Sequence, residues 1–288
     1  MLFCDYSQII ISSSIEYFSQ TKEQISLDLL RYISLQNIQK YSKKFKCPTS
    51  SIIICCDGRN YWRKNIFPNY KQNRKKDHEK SDFDWNKYFE YFNIVKNEIK
   101  NELPFRTLEI NECEADDIIA VLSDILCSKS ENIIISSDKD LLQIQINICS
   151  KIKQWSPFHQ KFITPESNNY NLFEHIVRGD YGDGIPNILS DDDVFLKSEK
   201  RSKPIRSIDI YKWEKFGINN PELFCTNDLS LEKFRRNRKL IDLQQIPEYL
   251  FTEIKNEYNN SSINKNQNLF NYLVKHKLKK IMELGGFN

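Results

Sequence analysis

Three apolar, β-branched runs in this sequence are each followed within two residues by aspartate. Short continuous runs of this kind are typical of strands buried on both faces of a parallel sheet. The carboxyl ends of parallel strands lie at one edge, where ligand sites are found, so we expect the topology to bring these aspartates together. In chain order the pairs are Leu2–Cys4 with Asp5, Ser51–Cys56 with Asp57, and Asn132–Ser136 with Asp138 and Asp140.

Two further acidic clusters can join this edge. The segment Glu114–Asp117 (sequence EADD) begins a predicted helix directly after a weaker strand at Thr107–Ile110. The segment Gly179–Gly184 (sequence GDYGDG) holds three of the seven glycines of the chain, and another, Gly58, follows the second strand-end aspartate. Glycine beside an acid, where the backbone bends tightly, indicates a shaped site.

Each acidic cluster taken alone has an ordinary structural explanation as a helix cap or a turn. Taken together, so many carboxylates at one edge would repel one another unless bound cations offset their charge. Oxygen ligands without His or Cys favour Mg²⁺ or Mn²⁺. Two such ions, about 3.5–4 Å apart, would activate a water and stabilise the leaving oxygen of a phosphodiester, so no Ser or His nucleophile is needed.

A basic and aromatic segment at 61–76 follows the second strand-end aspartate. Between Arg59 and Lys80 there are eight Lys or Arg residues and two acids, and between Lys197 and Lys239 there are twelve and six. Cations can neutralise phosphates, and aromatic rings can stack on unpaired bases. The alternative is a solvated amphipathic helix, but the position beside the acids favours nucleic-acid binding.

The composition is that of a globular protein. The 288 residues are 40% hydrophobic and 28% charged, with a net charge of +3. No apolar run approaches the ~18 residues of a membrane span, and the start lacks the pattern of a secretory signal. We therefore expect a cytoplasmic protein. The eight cysteines include no C-x-x-C pair and lie at no metal-ligand spacing to histidine, so we expect reduced thiols.

The pattern of elements predicts an α/β protein with a parallel sheet and crossover helices, followed by a mainly helical C-terminal region. A further strand is expected near Asn147–Lys153. Predicted helices precede Thr164 at Lys22–Phe45, Asp84–Leu103 and Glu114–Leu126, and follow it at Asn169–Arg178, Leu229–Leu243, Pro247–Tyr258 and Lys265–Leu284.

The acids and the basic segment together resemble the flap endonuclease/5′-3′ exonuclease family, in particular its ribonuclease H branch from T-even bacteriophages. The resemblance covers residues 1–190 well and the remainder loosely. Six ordered elements make a far more specific signal than a single D-x-D. The elements are Asp5, Asp57, the segment from Trp62-Arg63 to Tyr70-Lys71-x-x-Arg74, Glu114–Asp117, Asp138-x-Asp140 and Gly179-Asp180-x-x-Asp183.

The resemblance implies a PIN-like nuclease domain at 1–165 with a helical arch at about 59–83. It also implies a helical DNA-binding region at 166–288 that includes a degenerate helix-hairpin-helix-like segment. The implied reaction is Mg²⁺-dependent cleavage of DNA or of RNA–DNA hybrids at 5′ ends or flaps, as in removal of RNA primers during phage DNA replication. Implied partners are the nucleic acid, a single-strand DNA-binding protein and a sliding clamp, with a monomeric chain.

The resemblance also implies residue roles. Asp5, Asp57, Asp116 and Asp138, with Glu114 alongside, would hold one metal ion. Asp140, Asp180 and Asp183 would serve the second, and Asp117 matches the same motif. Arg63 and Lys71 would act on the scissile phosphate, and the nucleic acid would be bound by Trp62, Tyr70, Arg74, Lys75 and Lys76.

One departure from the family pattern follows Pro186. Cellular relatives continue with a glycine-rich second hairpin that binds duplex backbone and a monovalent ion, whereas here Asn187–Asp193 has no glycine. The hypothesis is that the basic tract from Lys197 to Lys239 replaces that grip.

Three other interpretations remain open from the sequence. A haloacid-dehalogenase-type phosphatase would need a second aspartate two residues after Asp5, where the chain has Ser7. A non-catalytic DNA-binding protein would show eroded acids. A PIN-type ribonuclease acting on structured RNA would share the acids but would not need the arch or the helical tail.

Overall fold

The computed structural model describes residues 1–128, 131–197, 199–261 and 269–283. Two compact units are present. The sheet unit is formed by residues 1–59, 82–164 and the described part of 248–288, and the helical unit by residues 60–81 and 165–247. None of the described helices is both long enough and apolar enough to span a bilayer.

Six strands form one sheet in the sheet unit. Five neighbouring strands are parallel, and the last strand is an antiparallel edge. The central strands are buried on both faces, as the continuous apolar runs predict. The strands are β1 Leu2–Asp5, β2 Ile52–Cys56, β3 Arg106–Glu109, β4 Ile133–Ile135, β5 Lys153–Ser156 and β6 Lys161–Ile163, in the spatial order β3-β2-β1-β4-β5-β6.

Strand order reverses between β1 and β4, which are neighbours in the sheet although 127 residues separate Asp5 from Asn132. In open α/β sheets the crevice at such a reversal, beyond the carboxyl ends of the strands, is the usual ligand site. The fold therefore places the acids that follow β1 and β4 at its topological switch point.

Helices connect the strands and build the helical unit. In chain order they are α1 Tyr6–Thr21, α2 Leu27–Lys44, α3 Trp62–Ile66, α4 Asn73–Glu79, α5 Trp85–Glu102, α6 Ala115–Ile125, α7 Leu142–Asn147, α8 Leu172–Arg178, α9 Ser207–Glu214, α10 Asp228–Ile241, α11 Glu248–Asn260, α12 Leu269–Lys275 and α13 Lys279–Glu283.

A partly buried ion pair stabilises the helical layer of the sheet unit. Arg31 of α2 donates two hydrogen bonds to Glu98 of α5, at 2.9 and 2.7 Å, and Tyr272 of α12 donates a third at 2.7 Å. Burial opposes the charge on Glu98, but the hydrogen bonds from Arg31 and Tyr272 outweigh it and lower the pKa of this carboxyl. Helix α12 is thereby joined to the layer that covers the sheet.

The helical unit has its own core. Phe173 and Val177 of α8 pack with Phe234 of α10, and Phe67 and Tyr70 from the basic segment complete the cluster. These two aromatic residues tie the basic segment 60–81 to residues 165–247.

The predicted α/β class, with a parallel sheet and a helical C-terminal part, is confirmed, and several details differ. The helix predicted from Lys22 starts only at Leu27, because Lys22 ends α1 in the left-handed conformation (φ 61°). The strand expected at Asn147–Lys153 is wrong: α7 extends to residue 147 and β5 begins at residue 153. The sequence analysis did not predict α1 or β6.

The predicted helix Lys265–Leu284 is two helices, α12 and α13. Lys277, with φ 54°, interrupts the helical backbone between them. Residues 265–268 and 284 of that prediction lie outside the described residues.

The division into units differs from the predicted domains 1–165 and 166–288. The described residues from Glu248 onward cluster with the sheet, where α11 packs against α6, whereas residues 60–81 cluster with the described part of 165–247. The predicted degenerate helix-hairpin-helix-like segment stays a prediction. After α8, the next α-helix of the described residues is α9, which begins only at Ser207.

The prediction that all cysteines are reduced is wrong for one pair. Cys127 and Cys149 form a disulfide across 22 residues, and the other six cysteines are free thiols. Cys127 lies after α6 and Cys149 after α7, so tertiary packing, which no local spacing motif reports, brings them together.

Candidate active site

Asp5 lies at the centre of the acidic edge. It is the last residue of β1 and also the N-cap of α1, because the strand passes directly into the helix. Its Oδ1 accepts a hydrogen bond from the backbone N–H of Gln8 (3.1 Å), and its Oδ2 accepts one from the hydroxyl of Ser136 (2.8 Å). With an exposure of only 4%, the carboxylate is fixed in orientation.

Neighbouring carboxylates act electrostatically on Asp5. Burial, followed by the charge of Asp57 and more weakly that of Asp138, raises the pKa of Asp5 to about 7. The two hydrogen bonds oppose this shift without cancelling it. The acids that follow β1, β2 and β4 thus lie close enough to repel one another, as the topology predicts.

Asp57 is oriented by the start of α6. Its Oδ1 accepts a hydrogen bond from the backbone N–H of Ala115 (2.9 Å). The next residue must be glycine, since a Cβ on Gly58 would lie 1.9 Å from the carbonyl oxygen of Ile110. The close approach of these backbones joins the end of β2 to the acidic start of α6.

The acids at the start of α6 differ in their surroundings. Asp117 is fully buried, and its Oδ2 accepts a hydrogen bond from the backbone N–H of Glu114 (2.9 Å) in a reciprocal capping box. Glu114 is also buried, whereas Asp116 is partly exposed. The structure therefore gives Asp117 a capping function in addition to its place in the motif.

The loop after β4 carries Asp138 and Asp140. The side chain of Asp138 accepts a hydrogen bond from the N–H of Asp140 (2.9 Å), and the hydroxyl of Ser136 accepts one from the N–H of Asp138 (3.1 Å). The amide of Gln154 in β5 donates to the carbonyl oxygens of Ser136 (3.0 Å) and Asp138 (2.6 Å). Gln8 accepts a further hydrogen bond from the N–H of Ser137 (3.2 Å).

Sequence reasoning missed Ser136, Gln8 and Gln154 as residues that position the acids. The available signals were weak: Ser136 precedes the aspartates of its loop, and Gln8 lies three residues after Asp5. Neither spacing identifies a residue that positions the acids unless the register of β1, β4 and β5 is known.

In the helical unit, Asp180 and Asp183 lie in a tight hairpin. Asp180 and Ile185 form an antiparallel bridge, and a Cβ on Gly179 (φ 70°) would lie 2.2 Å from the carbonyl oxygen of Ile185. Asp180 accepts the N–H of Asp183 (2.8 Å), and its other oxygen lies 3.0 Å from Nε2 of His175.

The carboxylate of Asp183 is held by the basic segment. It accepts hydrogen bonds from the hydroxyl of Tyr70 (2.7 Å) and the guanidinium of Arg74 (2.7 Å), and Nζ of Lys71 lies 3.5 Å away. Burial alone would raise its pKa, but the charges of Lys71 and Arg74 outweigh burial and lower it. Asp183 therefore remains ionised and anchors this end of the segment.

Several residues of the basic segment are placed differently from the sequence-based interpretation. Trp62, Arg63 and Tyr70 are each no more than 3% exposed. Arg63 donates to the carbonyl oxygen of Leu240 (2.8 Å) and stacks on Trp62 at 4.6 Å. In this structure the two rings are buried and Arg63 bonds to the backbone of the helical unit, and the predicted roles of these three residues toward nucleic acid stay predictions.

The remaining predicted cations of the segment have exposed side chains. Arg74, Lys75 and Lys76 lie on or beside the solvent face of α4, and Lys76 also donates to the carbonyl oxygen of Leu196. Lys71 is partly exposed.

Half of the twelve cations in the tract from Lys197 to Lys239 bond to neighbouring acids. Lys200 bonds to Asp191 and Asp193, and Lys233 is buried against the carbonyl oxygen of Ser190. Other pairs are Lys197–Asp193, Arg206–Asp209, Arg235–Glu222, Arg236–Asp192 and Arg238–Asp242. The charge excess in the sequence therefore overstates the positive charge available to a partner.

A parallel sheet with carboxylates gathered at its switch point defines an α/β enzyme with an acid-lined active-site edge. Two family models match the chain. The 5′-3′ exonuclease N-terminal resolvase-like domain matches residues 17–171, and the T4 RNase H C-terminal domain matches residues 166–285. The chain belongs to the 5′-3′ exonuclease family, as the resemblance predicted, and it is a nuclease.

Individual relatives agree with this assignment. The chain is 31% identical to the ribonuclease H of Enterobacteria phage T4, over 96% of this chain and 92% of that protein. It is 30% identical to the flap endonuclease Xni of Shewanella pealeana, over 50% of this chain and 56% of that protein.

Solved structures show the same PIN-like fold. The bacteriophage T5 flap endonuclease, solved with DNA and metal ions, has a TM-score of 0.63 at 18% identity, covering 90% of this chain and 97% of that one. The T5 5′-exonuclease with bound zinc has a TM-score of 0.62, at the same identity, covering 90% and 98%.

Proposed function

We propose that the chain is a Mg²⁺-dependent 5′-3′ exonuclease and flap endonuclease that hydrolyses phosphodiesters at 5′ ends or flaps of DNA and RNA–DNA hybrids. The observation that carries the proposal is the set of mutually repelling carboxylates around Asp5 at the switch point of the sheet. The similarity to a phage ribonuclease H along nearly the whole chain supports removal of RNA primers as its task in phage DNA replication.

The residues at the acidic edge fit a hard divalent cation. The side chains assembled there offer carboxylate oxygens, the ligands that Mg²⁺ and Mn²⁺ prefer. Burial, and after it the charges of Asp57 and Asp138, raise the pKa of Asp5, and a bound cation would offset the repulsion among these carboxylates. Asp5, Asp57, Asp116 and Asp138 would hold one ion with Glu114 nearby, and Asp140 would contribute to the second.

When bound, paired divalent ions supply a nucleophilic water and stabilise the leaving oxygen of the phosphodiester. The chain's own residues orient the carboxylates that hold such ions. Ser136 and the N–H of Gln8 fix the two oxygens of Asp5, and Gln154 fixes the loop that carries Asp138. Asp117 fixes the start of α6 by its capping bond.

The basic segment would bind the phosphates. Lys71 and Arg74 already hold an anionic group, the carboxylate of Asp183, in this structure. A phosphate offers the same kind of acceptor, and positive charge placed where negative charge grows in the transition state accelerates cleavage. Lys75 and Lys76 would add phosphate contacts from α4. The ligand roles of Asp180 and Asp183 stay predictions from the resemblance.

The test is digestion of an end-labelled 5′-flap duplex and a nicked duplex with Mg²⁺, comparing the wild type with Asp138→Asn. Losing one carboxylate ligand should slow cleavage by at least about a hundredfold, more than the loss of a residue that only supports a ligand. Asp124→Asn, on the exposed face of α6, is the matched control and should cleave at the wild-type rate. Undiminished cleavage by Asp138→Asn would contradict the proposal.

The same assay separates the other interpretations. Tight binding of the flap duplex without cleavage by the wild type would indicate a non-catalytic DNA-binding protein. Cleavage of an RNA hairpin in preference to the flap duplex would indicate a PIN-type ribonuclease.

A further inference from the structure

An aromatic turn lies at the carboxyl edge of the sheet, beyond the last acid. Strand β5 runs parallel to β4, with Trp155 beside Ile135, so β5 ends at the edge where Asp138 follows β4. After Ser156 the chain turns through residues 157–160 and returns as the antiparallel strand β6. The sheet thus presents, in spatial order, the acids after β2, β1 and β4 and then this turn.

Hydrogen bonds tie the turn to the loop that carries Asp138. The hydroxyl of Ser137 accepts the backbone N–H of Phe158 (3.0 Å) and lies 3.0 Å from the hydroxyl of Ser156. The hydroxyl of Ser156 in turn accepts the N–H of His159 (3.1 Å). Because Ser137 is the residue directly before Asp138, the turn is held in position relative to the acids.

The side chain of Phe158 is 79% exposed, the highest value among the large hydrophobic residues that the structure describes as exposed. The ring centroid lies 4.9 Å from that of His159, with the planes at 80°. Phe162 of β6 is different, because its ring packs edge-on against Trp155 at 5.2 Å and so belongs to the core margin. The ring of Phe158 is therefore not part of the packed core, although hydrogen bonds hold the backbone of its turn in place.

We propose that Phe158 is a stacking platform for an unpaired nucleobase of the substrate, next to the scissile phosphate, and that His159 sets the orientation of the ring. This inference rests on the proposed function. Strands in a sheet are about 4.8 Å apart, which places the turn one strand from Asp138 and two from Asp5. A base adjoining the phosphate at the acids can reach the ring from that position. Stacking on an aromatic face is tolerant of sequence, as a nuclease acting on any 5′ end requires.

The first test compares Phe158→Ala, Phe158→Trp and the wild type on flap duplexes that carry one abasic site at successive positions around the scissile phosphate. Losing one stacked base should reduce kcat/KM by about 5- to 150-fold. At one position the abasic substrate should lower the wild-type rate by the same factor and leave Phe158→Ala unaffected. Phe158→Trp should behave like the wild type.

The matched control is Phe270→Ala, whose ring is 61% exposed on α12. Tyr272 and Lys275 of the same helix bond to Glu98 and Glu102 at the end of α5 that leads into β3, at the opposite edge of the sheet. This variant should respond to every abasic site as the wild type does. Equal losses for Phe158→Ala at all positions, or wild-type rates on the intact duplex, would overturn the inference.

A binding readout separates failure of the inference from failure of the proposed function. Flap duplexes with 2-aminopurine at the same positions are bound in EDTA. Quenching of the base at one position by the wild type, and its absence with Phe158→Ala, supports the platform whether or not cleavage occurs. Cleavage by the wild type without any effect of Phe158 refutes the platform and leaves the proposed function standing.

Discussion

At the scale of single residues, the acids depend on neutral partners that hold them. Ser136 donates to one oxygen of Asp5 and accepts the N–H of Asp138, so one hydroxyl joins the ends of β1 and β4. Removing that hydroxyl keeps the hydrogen bond from Gln8 but takes this donor away from the other oxygen of the buried carboxylate, which costs free energy.

We predict that Ser136→Ala weakens binding of Mn²⁺ by about 10- to 100-fold, the usual effect of losing a residue that orients a ligand. Isothermal titration calorimetry on the metal-free protein measures the change. Ser123→Ala is the control, because that buried hydroxyl bonds only to the carbonyl oxygen of Ile119 within α6 among the bonds of the described residues. Equal affinities of Ser136→Ala and the wild type would contradict the positioning role.

Residue types and spacing predicted that the strand-end acids lie at one edge of the sheet, but they did not predict the hydrogen-bond partners of each acid. Asp5, Asp57 and Asp138 could be placed from the sequence because each follows an apolar run, and strand ends of a parallel sheet share an edge. The capping bond of Asp117 and the contact of Gln154 with the Asp138 loop depend on tertiary register. No spacing along the chain encodes that register.

At the scale of elements, one carboxylate bonds to three residues of the basic segment. Asp183 binds Tyr70, Lys71 and Arg74, and it accepts the backbone N–H of Lys71 at its own carbonyl (2.8 Å). The hairpin at 179–185 therefore helps to fix the position of residues 69–76. This is separate from the metal-ligand role predicted for its acids.

We predict that Asp183→Asn makes this segment more accessible to trypsin in EDTA, with cleavage after Lys75 or Lys76 faster by about tenfold or more. Hydrogen bonds to a charged group contribute about 1.5–3 kcal/mol each, so losing the carboxylate favours local opening. Mass spectrometry of the fragments gives the rate at each site, and Tyr70→Phe should show a smaller effect in the same direction.

The control for this experiment is Asp138→Asn, which removes a predicted metal ligand and leaves the contacts of Asp183 with the basic segment intact. Its segment should be cleaved at the wild-type rate. If Asp183→Asn matches that variant, then Asp183 does not anchor the segment.

Elements with one dominant period were predicted well, and short or polar elements were not. The continuous apolar strands β1, β2 and β4 stand out in any reading of the sequence. Helix α1 was missed because serines and glutamines interrupt its apolar stripe, and Ser14 is fully buried there. Strand β6 has three residues, two of them exposed, so its only sequence signal is a single alternation.

At the scale of the whole molecule, charge counts from the sequence are a poor guide to the surface that meets a polyanion. The tract Lys197–Lys239 has twice as many cations as acids, yet half of its cations bond to acids, some of which lie just outside the tract, such as Asp191–Asp193. Exposed cations of the tract include Lys212 and Lys215, which flank the 60% exposed ring of Tyr211 on α9. The hypothesis that the tract replaces the missing glycine-rich hairpin therefore applies to a smaller surface, formed by the exposed cations of the tract.

We predict that Lys212→Gln with Lys215→Gln weakens binding of duplex DNA and lowers the slope of log K against log salt by up to about 2, since each phosphate contact contributes about 0.9. Fluorescence anisotropy at several salt concentrations measures both quantities. The matched control is Arg206→Gln with Arg235→Gln, which changes the net charge equally but removes cations that are bonded to Asp209 and Glu222. If both double variants lower affinity and slope alike, the effect comes from overall charge, and α9 is not the contact surface.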